Sequence, residues 1–198
     1  MPARLVRLFI GLTVFGIGVS LMVRAELGLS PWEVLHQGIS FRTGILIGTV
    51  GILVGVLVLL GWIPLREKLG IGTVANVILI GIVIDVTLWR LPATISSTPV
   101  RWVMLCGGIA MIGVATSLYI GTGLGPGPRD GLMTGIAKRG LPIGAVRTAI
   151  ELTVLAVGYL LGGTVGIGTL LFAFGVGPIV HVTLPWLTLE PSAAQELA

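Results

Sequence analysis

The chain has 198 residues, 55% of them hydrophobic and a further 31 glycine, and only 10% carry charge, where soluble domains carry roughly 25%. A mean hydropathy of +1.07 excludes a soluble globular enzyme, a disordered tail and a disulfide-stapled domain, because a domain of this size still exposes about a third of its surface. Twelve basic against 8 acidic residues give a net charge of +4; the basic residues are scattered between apolar runs, which speaks for membrane topology and against a nucleic-acid partner.

A bilayer crossing takes about 20 apolar residues over a hydrocarbon core of roughly 30 Å. The first predicted span covers 5–23. Arg4 and Arg7 precede it as in a secretory signal, but Arg24 and Glu26 stand where small cleavage-site residues belong, so the segment is expected to be retained. A short helix over 30–40 follows a glycine-rich turn, with Pro31 at its first position and Ser30 and Glu33 in capping-box spacing. The second span, 44–62, carries a stripe of Gly44, Gly48, Gly51 and Gly55. The third, 72–89, holds Asn76 and Asp85, and the fourth, 102–120, holds the single cysteine, Cys106, which has no partner for an intrachain disulfide. A second short helix over 127–138 begins Pro128-Arg129-Asp130. The fifth span, 143–161, places Arg147 and Glu151 four residues apart on one face. The sixth covers 167–185, and a polar tail, 187–198, closes the chain.

The chain is internally duplicated. Residues 4–39 match 101–136 at a constant offset of 97, with thirteen of 36 positions identical, including Arg4/Arg101, Gly11/Gly108, Ser20/Ser117 and Pro31/Pro128. Glu33 meets Asp130 in the same register. After a one-residue slip the match continues at offset 96, pairing Gly48 with Gly144, Gly70-Ile71-Gly72-Thr73 with Gly166-Ile167-Gly168-Thr169, and Gly81 with Gly177. Each copy holds three spans, an odd number, so the second must enter the membrane from the opposite side. The expected fold is therefore an all-α polytopic membrane protein of six transmembrane helices. Two inverted three-helix repeats, 1–97 and 98–186, each carry a short re-entrant or interfacial helix after the first span, and 187–198 is a tail. With both termini cytoplasmic, seven basic residues face inward (Arg4, Arg7, Arg66, Lys68, Arg129, Lys138, Arg139) against four outward (Arg24, Arg42, Arg90, Arg101), which favours that orientation.

Intramembrane charge marks the expected site. Glu151 lies ~12 Å inside its span at 1.5 Å per residue, near the midplane, where an isolated acid costs about 2.5–3.5 kcal/mol. It therefore needs Arg147 as partner or a proton. The repeat equivalents of this pair are Gly51 and Gly55, so a glycine groove on the second span is expected to make room for it. A packing ion pair is the structural alternative; a substrate or coupling-ion site is the functional one. Arg129, Asp130 and Glu33 are expected at the two mouths of the site, with Asn76 and Asp85 as further polar contributors, although Asp85 is close enough to Arg90 to reach the interface instead. His36 and His181 read as interface residues. No metal-ligand spacing, P-loop or GxSxG occurs, so no cofactor, metal or catalytic set is expected.

Several segments resemble the YczE/YyaS/YitT family of bacterial integral membrane proteins: Leu29-Ser-Pro-Trp-Glu-Val-Leu-His-Gln-Gly38, Gly72-Thr73 with Asn76 and Asp85, Gly123-Leu-Gly-Pro-Gly-Pro-Arg-Asp-Gly-Leu-Met133, and Glu151 with Gly166-Ile-Gly-Thr169. The resemblance runs over nearly the whole chain and is nearest to the YczE-like branch. It implies a bacterial inner-membrane protein, loosely transporter-like, and names no substrate.

The expected function is a small-molecule transporter with a polar site between the inverted repeats and proton coupling through Glu151. Its partners are the lipid bilayer and a small molecule or ion, and the glycine faces leave room for a homodimer. Two other classes are a substrate-binding membrane subunit of a multi-protein importer and a structural or regulatory partner of another enzyme.

Overall fold

A computed structural model describes residues 1–189. Eight helices follow in chain order: α1 (Pro2–Ala25), α2 (Pro31–Thr43), α3 (Ile47–Leu65), α4 (Ile71–Arg90), α5 (Thr98–Ile120), α6 (Pro128–Ala137), α7 (Ile143–Leu160) and α8 (Ile167–Leu187). Six of them, all but α2 and α6, are long and apolar enough to cross a bilayer. The protein is an all-helical polytopic membrane protein, and no strand occurs among the described residues. Most of the predicted tail, 190–198, lies outside the described residues.

Local chemistry sets the helix limits. Proline stands in the first turn of α1, α2, α5 and α6, where its missing N–H costs nothing and its fixed φ suits a helix. Gly44 ends α2 with φ 75°, a left-handed cap that only glycine adopts freely. It therefore belongs to a helix end, and the glycine stripe of α3 begins at Gly48, one residue into the helix. The expected capping box at α2 does not form. The Ser30 hydroxyl donates to the Glu33 carboxylate instead of accepting from the backbone, because Glu33 is held by an arginine from α6.

The centre of the molecule is the α1–α5 pair. Gly18 and Gly108 face one another so closely that a Cβ on either would press on the other's carbonyl oxygen, and small residues let two helix backbones approach in this way. Val19, Met22, Leu105, Ile109 and Ile112 fill the remaining interface as one buried cluster. Helix α4 packs on α1 and helix α8 on α5. Those two interfaces use duplicated residues: Gly16 of α1 abuts Val83, and Gly113 of α5 abuts Ile179. The loops match as well, since the Gly72 N–H donates to the Leu124 carbonyl at 2.9 Å and the Gly168 N–H to the Leu27 carbonyl at 2.7 Å.

The short helices cross between halves. Helix α2 packs on α7 as well as on α3, and α6 packs on α3 as well as on α7. Trp62 of α3 is buried against Gly131 of α6 and donates its indole N–H to the Pro128 carbonyl at 3.0 Å. One difference separates the halves. Helix α3 lies along α4, with Gly48 against the Gly81 backbone and Gly55 against Val77. No comparable interface joins α7 to α8, and Gly144 and Gly177, the counterparts of Gly48 and Gly81, have nothing within 4 Å of a Cβ position.

Candidate functional site

A cavity of about 160 Å³ lies where the short helices meet the spans, and residues from all eight helices line it. The first turns of α2 and α6 line it through Pro31, Trp32 and Glu33 and through Pro128, Arg129 and Asp130. Apolar walls come from Phe15, Val54, Ile80, Ile112, Phe172 and Val176. Glu33, Arg129, Asp130, Asn76, Arg147 and Glu151 all line it.

Glu33 is the most deeply buried of the carboxylates, with 6% of its side chain accessible. Arg129 grips it from the opposite half, Nη2 donating to Oε1 at 2.6 Å and Nη1 to Oε2 at 3.5 Å. The guanidinium also lies over the Trp32 ring, 5.1 Å from its centroid, a cation–π contact strengthened by desolvation. Glu33 and Asp130 sit on the short helices, outside the spans. Burial pushes the Glu33 carboxyl up, but Arg129, His36 and the hydrogen bonds together hold it below its ordinary value. His36, one turn along α2, stands 3.9 Å from Glu33, and burial with the nearby Arg129 charge pushes it down to about 4, so it is a neutral imidazole at physiological pH.

Asp130 is differently placed. Its Oδ2 accepts from the Tyr119 hydroxyl at 3.3 Å. Burial pushes its carboxyl up, with Arg147, Tyr119 and Arg129 pulling the other way. Asn76, Tyr119 and Asp130 converge around Gly127, where a Cβ would lie 3.0 Å from Asp130 Oδ2 and 3.1 Å from the Tyr119 hydroxyl.

Arg147 and Glu151 form the expected pair on α7, Nε to Oε1 at 3.0 Å. They are not a sealed packing pair: 62% of the Arg147 side chain and 33% of Glu151 remain accessible. The glycine groove of α3 is occupied differently from the expectation. Gly48 and Gly55 receive α4, and Gly51 faces His36; Gly51 and Gly55 border the same cavity as the ion pair without packing against it. Asp85 lies outside the cavity. Its carboxylate accepts from the Gly48 and Thr49 N–H groups at 2.7 and 2.8 Å and from the Thr49 hydroxyl at 2.8 Å. It thus caps the N-terminus of α3 from a neighbouring helix, satisfying donors that have no intrahelical partner.

Trp32 and Tyr119 were not among the expected site residues, and His36, expected at an interface, lines the cavity. Trp32 had a usable signal, since the 97-residue offset pairs it with Arg129 as it pairs Glu33 with Asp130. Among the described residues, no group of three or more His, Cys, Asp or Glu is arranged to hold a metal ion.

Residues 2–185 match the family of unknown function DUF6198. The chain belongs to this family, as a YczE-like member. It is 42% identical over 190 residues to an uncharacterized protein of Haemophilus influenzae, covering 96% of this chain and 87% of that one. It is 36% identical over 181 residues to the uncharacterized membrane protein YczE of Bacillus subtilis, covering 89% and 83%. It is 30% identical over 182 residues to the uncharacterized protein YyaS of Bacillus subtilis, covering 89% and 90%. No solved structure matches the chain.

Proposed function

We propose that this YczE-like protein is a small-molecule transporter built from two inverted three-helix halves, with its substrate site in the cavity between them. The observation that carries the reading is the cavity itself, lined from both halves, with two guanidinium groups and three carboxylates around it. Polar groups at membrane depth are costly and are typically kept for a substrate or ion path. Inversion of the halves is supported by the odd number of spans per copy and by the matched contacts Gly16–Val83 and Gly113–Ile179. In this reading both termini are cytoplasmic in the bacterial inner membrane, as the excess of inward basic residues favours, and the protein performs no covalent chemistry.

The difference between the halves supplies the mechanism. If the copies exchange conformations, α7 docks on α8 as α3 docks on α4 here, with Gly144 meeting Gly177, and α3 loosens from α4. Such an exchange moves access to a fixed central site from one side of the membrane to the other. Arg147 and Glu151, in place of Gly51 and Gly55, are bulky enough to hold α7 off until a bound substrate or proton alters their charge. Cross-linking of a Gly144→Cys/Gly177→Cys pair in membranes tests this. A cross-link that forms and blocks solute flux in proteoliposomes is the expected result; failure to cross-link under any condition overturns the exchange. Proton coupling through Glu151 is tested separately, and flux unaffected by Glu151→Gln at every pH would remove it.

A further inference from the structure

The polar groups around the cavity are unequally satisfied, and the mismatch specifies a ligand. Glu33 and Arg129 use each other. Arg147, by contrast, spends only Nε on Glu151, and its two terminal amino groups make no hydrogen bond among the described residues. Trp32 Nε1 and His36 Nε2 are both buried and without a hydrogen-bond partner, in residues that are 6% and 4% accessible and line the cavity. Guanidinium and indole N–H groups only donate, and a donor buried without an acceptor is destabilising. The free Arg147 donors and the buried Trp32 Nε1 therefore suit this side of the cavity to an oxygen-rich acceptor.

The charges require something else as well. Three carboxylates, Glu33, Asp130 and Glu151, face two guanidinium groups, so one acid is left unmatched. Asp130 is that acid: its hydrogen bonding is to the neutral Tyr119 hydroxyl, and no ion pair joins it to either arginine. A simple anion would answer the free donors and add to the excess negative charge. A simple cation would answer Asp130 and leave the donors unfilled. A molecule carrying both charges answers both.

We propose that the cavity binds a small zwitterion with the chemistry of an apolar amino acid, its carboxylate received by Arg147 and Trp32 and its ammonium by Asp130. The apolar remainder lies against the aliphatic and aromatic wall that includes Phe15, Ile80 and Phe172. The cavity, of about 160 Å³, offers such a molecule a site of small-ligand size. His36 Nε2, one turn from Trp32, is the second buried polar atom there without a partner. The inference rests on the transporter reading for the location of the site, but binding is read without any flux.

The test is equilibrium binding to the purified protein in detergent, followed by thermal shift and by tryptophan fluorescence. The probes are L-valine, isobutylamine, which lacks its carboxylate, and isovalerate, which lacks its ammonium, together with L-alanine and L-leucine. Binding of at least one amino acid, with both charge-deleted analogues at least tenfold weaker, is the expected result. Asp130→Asn and Arg147→Gln should each lose tenfold or more, and Asp130→Asn should lose less toward isovalerate than toward valine. Because either variant could also misfold, Asp85→Asn serves as a control outside the cavity that should bind like the parent protein. Isovalerate binding as well as valine would replace the zwitterion with a plain anion, and isobutylamine doing so would replace it with a cation; either overturns the proposal. So does the absence of binding by all three amino acids. Binding without any Gly144–Gly177 cross-link or flux would leave the ligand class standing and remove the transporter reading.

Discussion

Arg129 lies over the ring of Trp32, 5.1 Å from its centroid, and the two residues occupy the same position of the duplicated sequence, 97 residues apart. The contact therefore forms where equivalent turns of α2 and α6 meet, and the same guanidinium reaches on to Glu33. At these two matched positions one short helix carries an aromatic ring and the other a cation. A pair of identical residues there could not have made this contact.

Arg129→Ala should be among the most destabilising single changes, because it leaves the buried Glu33 carboxylate uncompensated. Breaking a buried pair costs about 3–5 kcal/mol. Arg129→Lys should recover only part, since a lysine lacks both the bidentate fork and the flat stacking surface. The double variant Arg129→Met/Glu33→Met should melt closer to the parent than Arg129→Ala does, as paired removal leaves no orphan charge. Melting temperatures in a single detergent decide the order.

Asp85→Ala should destabilise by about 1–3 kcal/mol, the cost of leaving the Gly48 and Thr49 donors unmet. The loss belongs to α3 and its seam with α4. Hydrogen exchange should accelerate at the N-terminal turn of α3 before it does elsewhere, while ligand binding in the cavity should keep its affinity.

Acid should unfold the protein in two stages. His36 is pushed from 6.5 down to about 4, so the unfolded chain takes up its proton first, and stability falls as pH drops from about 6.5 towards 4. Glu33 is held below 4.5; its contribution is present above that value and is lost as pH falls through its lower folded value. His36→Gln should flatten the first stage in a pH series of melting curves and leave the second.

The two halves should respond unequally to the same substitution. Gly48→Ala must displace the Gly81 backbone, and overpacking of this kind costs about 1–3 kcal/mol. Gly144→Ala meets nothing within 4 Å, so its melting temperature should stay close to that of the parent. Equal destabilisation by both would mean that α7 and α8 are docked in the membrane.

The sequence by itself determined the apolar surroundings, the six spans and the two short helices. Each of these is written in composition or in contiguous patterns: apolar runs of bilayer length and prolines at helix starts. Span limits came within a few residues because proline and glycine act on the backbone locally. Tertiary structure alone decided which charges meet. Asp85 looked like a site residue because it is an acid in a span, yet the nearest unsatisfied donors were the first N–H groups of α3, and these hold it outside the cavity. Glu33 looked like a local cap, yet a guanidinium from the other half competed successfully for it. The separation of α7 from α8 was equally hidden, since Gly144 and Gly177 repeat the residues that dock α3 on α4. Partner choice for a charge, and docking between helices, depend on distances across the bundle, and those are set by how all eight helices pack at once.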